Sequence, residues 1–334
     1  MTQEGVVVMR ERIFFTRRIP SKGIEILKKD YELHIREDES IPTKEEIIDG
    51  IVGCEGLVCL LTDPIDRDVL SSPDLKFVST YAAGYNNIDV TFASSRKIPV
   101  TNAPGALTET TADIAFALLL SAGRRVVEGD RFLREGSFHG WSPMLLLGQD
   151  IHGKTLGIVG AGRIGGALAR RAVGFRMNIL YYNRKPDPVL ERETGAVYTP
   201  FDQLLCNSDF VSLHTPLTRE TEHIISAREF GLMKKKAVFI NTSRGPCVNE
   251  NDLVKALESG DIWAAGLDVF EREPLVDERL LCMDNVVLLP HLGSASFDTR
   301  TGMAVTACTN MAMMLAGKRP PNIINPEVYS DIRI

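Results

Sequence analysis

The sequence predicts an α/β protein built from two doubly wound parallel-sheet domains. Three observations carry that prediction. The chain of 334 residues is about 2.2 times a domain of ~150 residues. Short β-rich runs alternate with helix-like stretches, the pattern of a parallel sheet covered on both faces. The alternation occurs twice, on either side of one long apolar-striped helical segment.

In the first half, strands are expected at 12–16 (RIFFT), 31–35, 56–61 (GLVCLL), 76–80 (KFVST) and 98–101 (IPVT). Helices are expected at 21–29, with Ser21 as N-cap, at 43–50 and near 89–95. Ala112, Ala115, Phe116, Leu119 and Leu120 fall on one stripe of a long helix over 110–135. Residues 136–153, with Trp141, Pro143 and the run MLLLG, read as irregular. Strands follow at 155–159, 178–182, 209–213, 237–241, 264–267 and 286–289, then a helix at about 296–316. The tail RPPNIINP must pack in extended form.

Hydrophobic residues make up 44% and charged residues 25%, which excludes a disordered or collagen-like chain. The net charge, 38 − 44 = −6, argues against a nucleic-acid or anionic-membrane partner. Residues 1–40 hold 8 basic and 8 acidic side chains, a neutral stretch rather than a targeting arm. Cysteines at 54, 59, 206, 247, 282 and 308 form no C-x-x-C and lack histidines at zinc spacing, so buried reduced thiols and no metal site are expected. No signal-peptide core is seen, and no apolar run nears the roughly 20 residues of a membrane span; a cytoplasmic protein is expected. The Lys234–Lys236 triplet reads as a solvated turn without a role.

The strongest motif is KTLGIVGAGRIG (154–165), an apolar strand running into G-x-G-x-x-G and a helix. Gly160 permits the tight turn, Gly162 admits a pyrophosphate to the backbone, and Gly165 lets helix and strand pack closely. The amides opening the helix then bind the anion. The next strand ends at Tyr182-Asn183-Arg184-Lys185, where an acid would select the 2′-hydroxyl of NAD. Asn183 removes that repulsion, and Arg184 and Lys185 offer charged donors to a 2′-phosphate. NADP(H) is therefore the expected preference, with NAD(H) possible.

Arg244 and His291 lie just past the ends of predicted strands, and Glu273 follows a third by a short loop. Ligands of open α/β sheets bind at that edge. An arginine can hold a substrate carboxylate bidentately. A histidine can exchange a proton with the carbonyl or hydroxyl oxygen, and a glutamate on its other nitrogen fixes the tautomer and favours the acid form. With hydride from a nicotinamide, that set performs carbonyl reduction. The other histidines (34, 139, 152, 214 and 223) show no such partners, although His214 sits at a strand end.

With these residues in view, the chain resembles the D-isomer-specific 2-hydroxyacid dehydrogenase family over nearly its whole length. The matching stretches are YAAGYNNIDV (81–90), NAPGALTETTADIAFALLLSAGRR (102–125), GKTLGIVGAGRIG (153–165), HTPLT (214–218), INTSRG (240–245), AAGLDVFEREP (264–274) and PHLGSAS (290–296). Within the family it is most similar to glyoxylate/hydroxypyruvate reductases. The resemblance implies that Arg244 binds substrate, that His291 is the acid/base and that Glu273 orients it. It assigns the substrate carboxylate to Ala83 and Gly84 and a pocket wall to Leu60. Cofactor contacts are implied at Thr111, Arg163, Ile164, His214, Pro216, Thr221, Thr242, Asp268, His291 and Gly293, beside the glycine turn and residues 183–185. Trp141 would reach into a partner subunit's active site, making the protein a homodimer; an ordinary core tryptophan is the alternative.

The resemblance also implies topology: a Rossmann cofactor domain (108–295) inserted into a flavodoxin-like substrate domain (1–107 and 296–334), with hinges at both crossings. Glu273 stands where formate dehydrogenases resemble a glutamine version, and Ala83 where phosphite dehydrogenases carry lysine. No residues remain for the regulatory domains of long phosphoglycerate dehydrogenases. The expected substrate is a short 2-oxoacid such as glyoxylate or hydroxypyruvate. Another D-2-hydroxyacid dehydrogenase activity (D-lactate or phosphoglycerate-like), or a non-catalytic nucleotide-sensing corepressor, stays open.

Overall fold

The computed structural model describes residues 10–329; 1–9 and 330–334, the two ends of the expected substrate domain, lie outside the described residues. The chain divides into two compact units, one of residues up to Leu107 with those from Ser296, the other Thr108–Ala295.

The first unit holds β1 (Arg12–Phe15), β2 (Glu32–Ile35), β3 (Gly56–Cys59), β4 (Phe77–Thr80) and β5 (Val100–Thr101). All pair in parallel in the order β2-β1-β3-β4-β5, the flavodoxin-like arrangement. Its core is completed by the far end of the chain. Helix Phe297–Leu315 packs Met303, Ala304, Cys308 and Met311 against Ile13, Phe15 and Val58. The tail is extended only in part: Ile323 makes an antiparallel bridge to Thr101 of β5, between a turn at 321–322 and the 3-10 turn Pro326–Tyr329. Ile324 donates to the Val100 carbonyl at 2.8 Å, and the buried Asn325 amide bonds Val100 N (2.8 Å), Ile98 O (2.9 Å) and Ser94 Oγ (3.1 Å).

The second unit holds β6 (Thr155–Val159), β7 (Asn178–Tyr182), β8 (Val197–Tyr198), β9 (Phe210–Leu213), β10 (Val238–Asn241), β11 (Ala264–Leu267) and β12 (Val286–Leu288). They form one parallel sheet, β12-β11-β10-β9-β6-β7-β8, of the Rossmann type. β9, β10 and β11 are buried along their whole length, as β-rich apolar runs covered on both faces must be. Helix Thr108–Gly123 sets the expected stripe, Ala112, Ala115, Phe116 and Leu119, into this core. The order reverses between β6 and β9, so a ligand crevice opens there, beyond the strands' carboxyl ends. Among the described residues no helix is long and apolar enough to cross a membrane.

Several local expectations need correction. The long helix over 110–135 is two helices, Thr108–Gly123 and Val126–Arg134. Arg125 between them is left-handed (φ 54°), and the Gln149 amide takes the Gly123 carbonyl at 2.7 Å, which ends the first helix. Ser21 is the first helical residue rather than the N-cap; Pro20 holds that position without a side-chain cap. The strand at 98–101 shortens to Val100–Thr101, consistent with Pro99 lacking an N–H for the ladder. β8 and the short helix Arg67–Leu70 were not expected from the pattern. Cys206 and Cys282 are exposed, while the other four thiols are buried; all six are free.

Candidate active site

The glycine turn has the mechanics its motif requires. At Gly160 (φ 92°) a Cβ would sit 2.9 Å from the His214 carbonyl carbon, and at Gly165 a Cβ would meet the Gly160 oxygen at 2.6 Å. Gly162 caps helix Arg163–Gly174 with no side chain on its amides and nothing within 4 Å of a would-be Cβ. A dipole-favoured, uncrowded amide cluster is what an anion needs. Ile164 follows in the helix's first turn, half-buried against the core. Asn183 directly follows β7 and donates to the Ala161 carbonyl at 3.2 Å, holding the β7 end against the turn, and Arg184 and Lys185 beside it are exposed.

Across the crevice lies the loop after β9. His214 Nε2 faces Ser212 Oγ at 2.8 Å, and burial pushes the ring's pKa down to about 4, so it stays neutral. Its Nδ1, with Thr215 Oγ1 and Thr242 Oγ1, is buried without a hydrogen-bond partner. Three such atoms at the carboxyl edge of one sheet are costly unless something else satisfies them. Thr221 Oγ1 is spent within its own loop, donating to Pro216 O at 2.6 Å and accepting from Thr218 N at 2.7 Å.

Arg244, Glu273 and His291 meet at the same edge, past β10, β11 and β12. His291 Nδ1 faces Glu273 Oε2 at 2.9 Å, leaving Nε2 as the outward nitrogen. Glu273 Oε1 accepts from Phe270 N at 3.0 Å. Burial alone would raise the Glu273 pKa, but the His291 bond and charge, the Phe270 amide and the Arg244 charge hold it below the usual range. Burial lowers the Arg244 pKa while the Glu273 charge opposes the shift; a guanidinium remains charged regardless. Gly245 explains how the two loops come so close: a Cβ there would fall 1.8 Å from the Phe270 oxygen.

His291 itself is left-handed (φ 56°), a conformation that costs about 1–3 kcal/mol and must be held by its surroundings. Asp268 holds it. The His291 amide donates to the Asp268 carbonyl (3.0 Å), and the carboxylate accepts from Leu292 N (2.6 Å) and Gly293 N (2.8 Å). Burial raises the Asp268 pKa against those amide bonds and the His291 charge. Thr111 Oγ1 adds a bond to Gly293 O at 3.1 Å. Both residues, expected to touch cofactor, thus also fasten the histidine loop.

A family model for the D-isomer specific 2-hydroxyacid dehydrogenase NAD binding domain matches residues 116–293. A glyoxylate reductase of Korarchaeum cryptofilum is 52% identical over 323 residues, covering 96% of this chain and 97% of that protein. The chain belongs to the D-isomer specific 2-hydroxyacid dehydrogenase family. As a member it is an NAD(P)-dependent D-2-hydroxyacid dehydrogenase. Among solved structures of the family, a glyoxylate reductase from Paecilomyes thermophila is 33% identical with TM-score 0.85, covering 95% of this chain and 99% of that one. An NADPH-dependent glyoxylate/hydroxypyruvate reductase from Sinorhizobium meliloti, in complex with NADP and malonate, is 33% identical with TM-score 0.83, covering 94% and 97%.

The residues present fit a nicotinamide dinucleotide. The open cradle at Gly162 suits its pyrophosphate, and the orphaned polar atoms of His214, Thr215 and Thr242 suit its sugar and amide groups. In the dehydrogenase's other unit, Leu60 follows β3 and Ala83 and Gly84 follow β4, at the carboxyl edge of that sheet. Trp141 is 83% exposed, so it is no core tryptophan.

One expectation about the histidines fails. His223 does have a carboxylate partner: its Nε2 lies 2.8 Å from Glu271 Oε1. The two are 48 positions apart, and the only sequence signal was an acid two places before Glu273. Thr215 was also missed, hidden inside the HTPLT match as an ordinary loop hydroxyl.

Proposed function

We propose that this chain reduces a short 2-oxoacid, glyoxylate or hydroxypyruvate, to the 2-hydroxyacid, with NADPH preferred over NADH. The observation that carries the reading is the His291–Glu273 pair at 2.9 Å beside the half-buried Arg244, on the sheet edge that also holds the glycine turn. Relatives at about half identity are glyoxylate reductases, which supports the substrate class.

A bound nicotinamide supplies the hydride. Arg244 binds the substrate carboxylate and polarises the adjacent carbonyl. His291 donates the proton from Nε2 to the carbonyl oxygen, and Glu273 fixes the ring through Nδ1 and compensates its charge. Residues 108–295 act as the cofactor domain, with contacts at Thr111, Gly160, Gly162, Arg163, Ile164, Gly165, His214, Pro216, Thr221, Thr242, Asp268 and Gly293. Asn183, Arg184 and Lys185 receive the 2′-phosphate. In the other unit, the amides of Ala83 and Gly84 hold the substrate carboxylate and Leu60 lines the pocket.

The protein acts as a homodimer. Helix Val126–Arg134 buries none of its residues, and Val126, Val127, Leu133, Phe138, Trp141, Met144 and Leu147 are all exposed apolar side chains in one stretch. So many exposed apolar side chains within one stretch of chain favour a second copy. Sedimentation should give a dimer that W141A leaves assembled but less active; a monomer contradicts this part of the reading.

The decisive assay is NADPH oxidation with glyoxylate, hydroxypyruvate, pyruvate and phenylpyruvate. Turnover is expected with the first two. Tight NADPH binding without oxidation by any oxoacid would favour a nucleotide sensor instead.

A further inference from the structure

The His223–Glu271 pair occupies a position that the proposed mechanism does not use. His223 lies in the loop that begins at His214 and runs to the helix Ala227–Leu232, and its amide donates to the Pro246 carbonyl at 2.9 Å, in the turn just after Arg244. Its ring reaches Glu271 at 2.8 Å. Like His291, it has a left-handed backbone (φ 49°), so its placement is imposed by these contacts rather than by local preference. Glu271 is fixed in turn by helix Glu250–Ser259. Glu271 Oε2 accepts from Glu250 N at 2.9 Å, Glu250 Oε2 accepts from Glu271 N at 3.0 Å, and Glu250 Oε1 accepts from Asp277 N at 3.3 Å. Two residues on, Glu273 grips His291.

We infer that His223 and Glu271 are positioning residues: a latch that ties the dinucleotide-side loop 214–223 to the turn 270–274 and so aligns Glu273 on His291. The inference rests on the oxoacid-reductase reading above. The latch crosses between two segments 48 residues apart, and within 270–274 it adds a side-chain anchor outside the turn. Seating of a nucleotide against loop 214–223 is thereby felt at Glu273. Without the latch, the proton donor still sits near the carbonyl but with poorer alignment, and misplacement on the scale of 1 Å costs up to ~10²-fold.

The test compares wild type, H223A, H223Q, E271A and the H223A/E271A double variant in oxoacid reduction with NADPH. A glutamine at 223 can still donate an N–H to Glu271. H223A and E271A are expected to lower kcat 5- to 20-fold and to raise the solvent deuterium isotope effect, because proton transfer becomes more rate-limiting. KM for the oxoacid should change less than twofold. H223Q should recover most of the rate, and the double variant should be no worse than the poorer single one. Unchanged kcat, a loss of active protein with the isotope effect unmoved, or additive losses would each overturn the latch. If E271A or H223A does not fold, E271Q against H223Q decides by the same isotope effect. A wild type that reduces no oxoacid defeats the underlying reading instead, so the two failures are distinguishable.

Discussion

Past β3, in the first unit, Asp63 is fully buried and every oxygen is engaged: Oδ2 accepts from Thr16 Oγ1 (2.5 Å) and Leu60 N (2.6 Å), and Oδ1 from Arg17 Nη2 (2.9 Å). Asn87 Nδ2 stitches the same turn by donating to Leu60 O (2.9 Å) and Asp63 O (2.8 Å). Past β9 and β10, in the second unit, His214, Thr215 and Thr242 keep buried polar atoms with no partner, and Arg244 sits beside a carboxylate already committed to His291. Both sheets are parallel and both present loops at the same edge. Around Asp63 one edge has closed most of its polar groups on itself, with Arg17 Nε and Thr80 Oγ1 left unpartnered. The other has left them open, which is the state of a site built for a bound molecule. The fold supplies the edge, and only the residues on it decide which kind it becomes.

The contrast can be broken by exchanging what each edge depends on. The largest effect is expected at the open edge: H291A should lower kcat for oxoacid reduction by about 10²–10⁴-fold while the NADPH Kd changes little. A rate within tenfold of wild type would remove His291 from the chemistry. At the closed edge the loss should be in stability. D63A leaves the Leu60 amide without its acceptor and strips the carboxylate from Arg17, whose side chain is only 15% exposed and keeps Thr62 alone, a cost of about 3 kcal/mol. A urea midpoint unmoved by D63A would mean the knot is ornamental.

A pH experiment sharpens the open edge. His214 has its pKa depressed by burial to about 4, against 6.5 when exposed. Below pH 6.5 the unfolded chain takes up a proton that the folded ring resists, so this stability is complete above 6.5 and is lost as pH falls toward 4. The loss is on the order of 3 kcal/mol at most. H214Q should flatten the stability profile across that window, and an unchanged slope would contradict a neutral buried ring. The smallest effect is expected for cofactor choice. R184A/K185A should reduce kcat/KM with NADPH about 10- to 100-fold more than with NADH. Equal losses would place 2′-phosphate recognition elsewhere.

The sequence made the open edge legible because its devices are local. A glycine turn announces itself by spacing, and Arg244 and His291 each stand a few residues past a largely apolar strand. The closed edge was not legible: Asp63 works through Thr16, Arg17 and Leu60, and nothing in its own neighbourhood marks it as buried. The same limit hid the His223–Glu271 pair, the Asn325 anchor beneath β5 and the turn at Arg125, where a non-glycine residue takes a left-handed backbone because Gln149 folds back onto the helix end. Contacts set by distant partners leave no periodicity to read.

The most direct measurement is the loss of reduced-nicotinamide absorbance when glyoxylate is added to the NADPH-loaded protein and to its H291A variant. Rapid loss with the wild type and almost none with H291A, at equal nucleotide occupancy, is the predicted result. Equal rates in the two, or no loss in either, would contradict the assignment of His291 and Glu273 as the pair that delivers the proton.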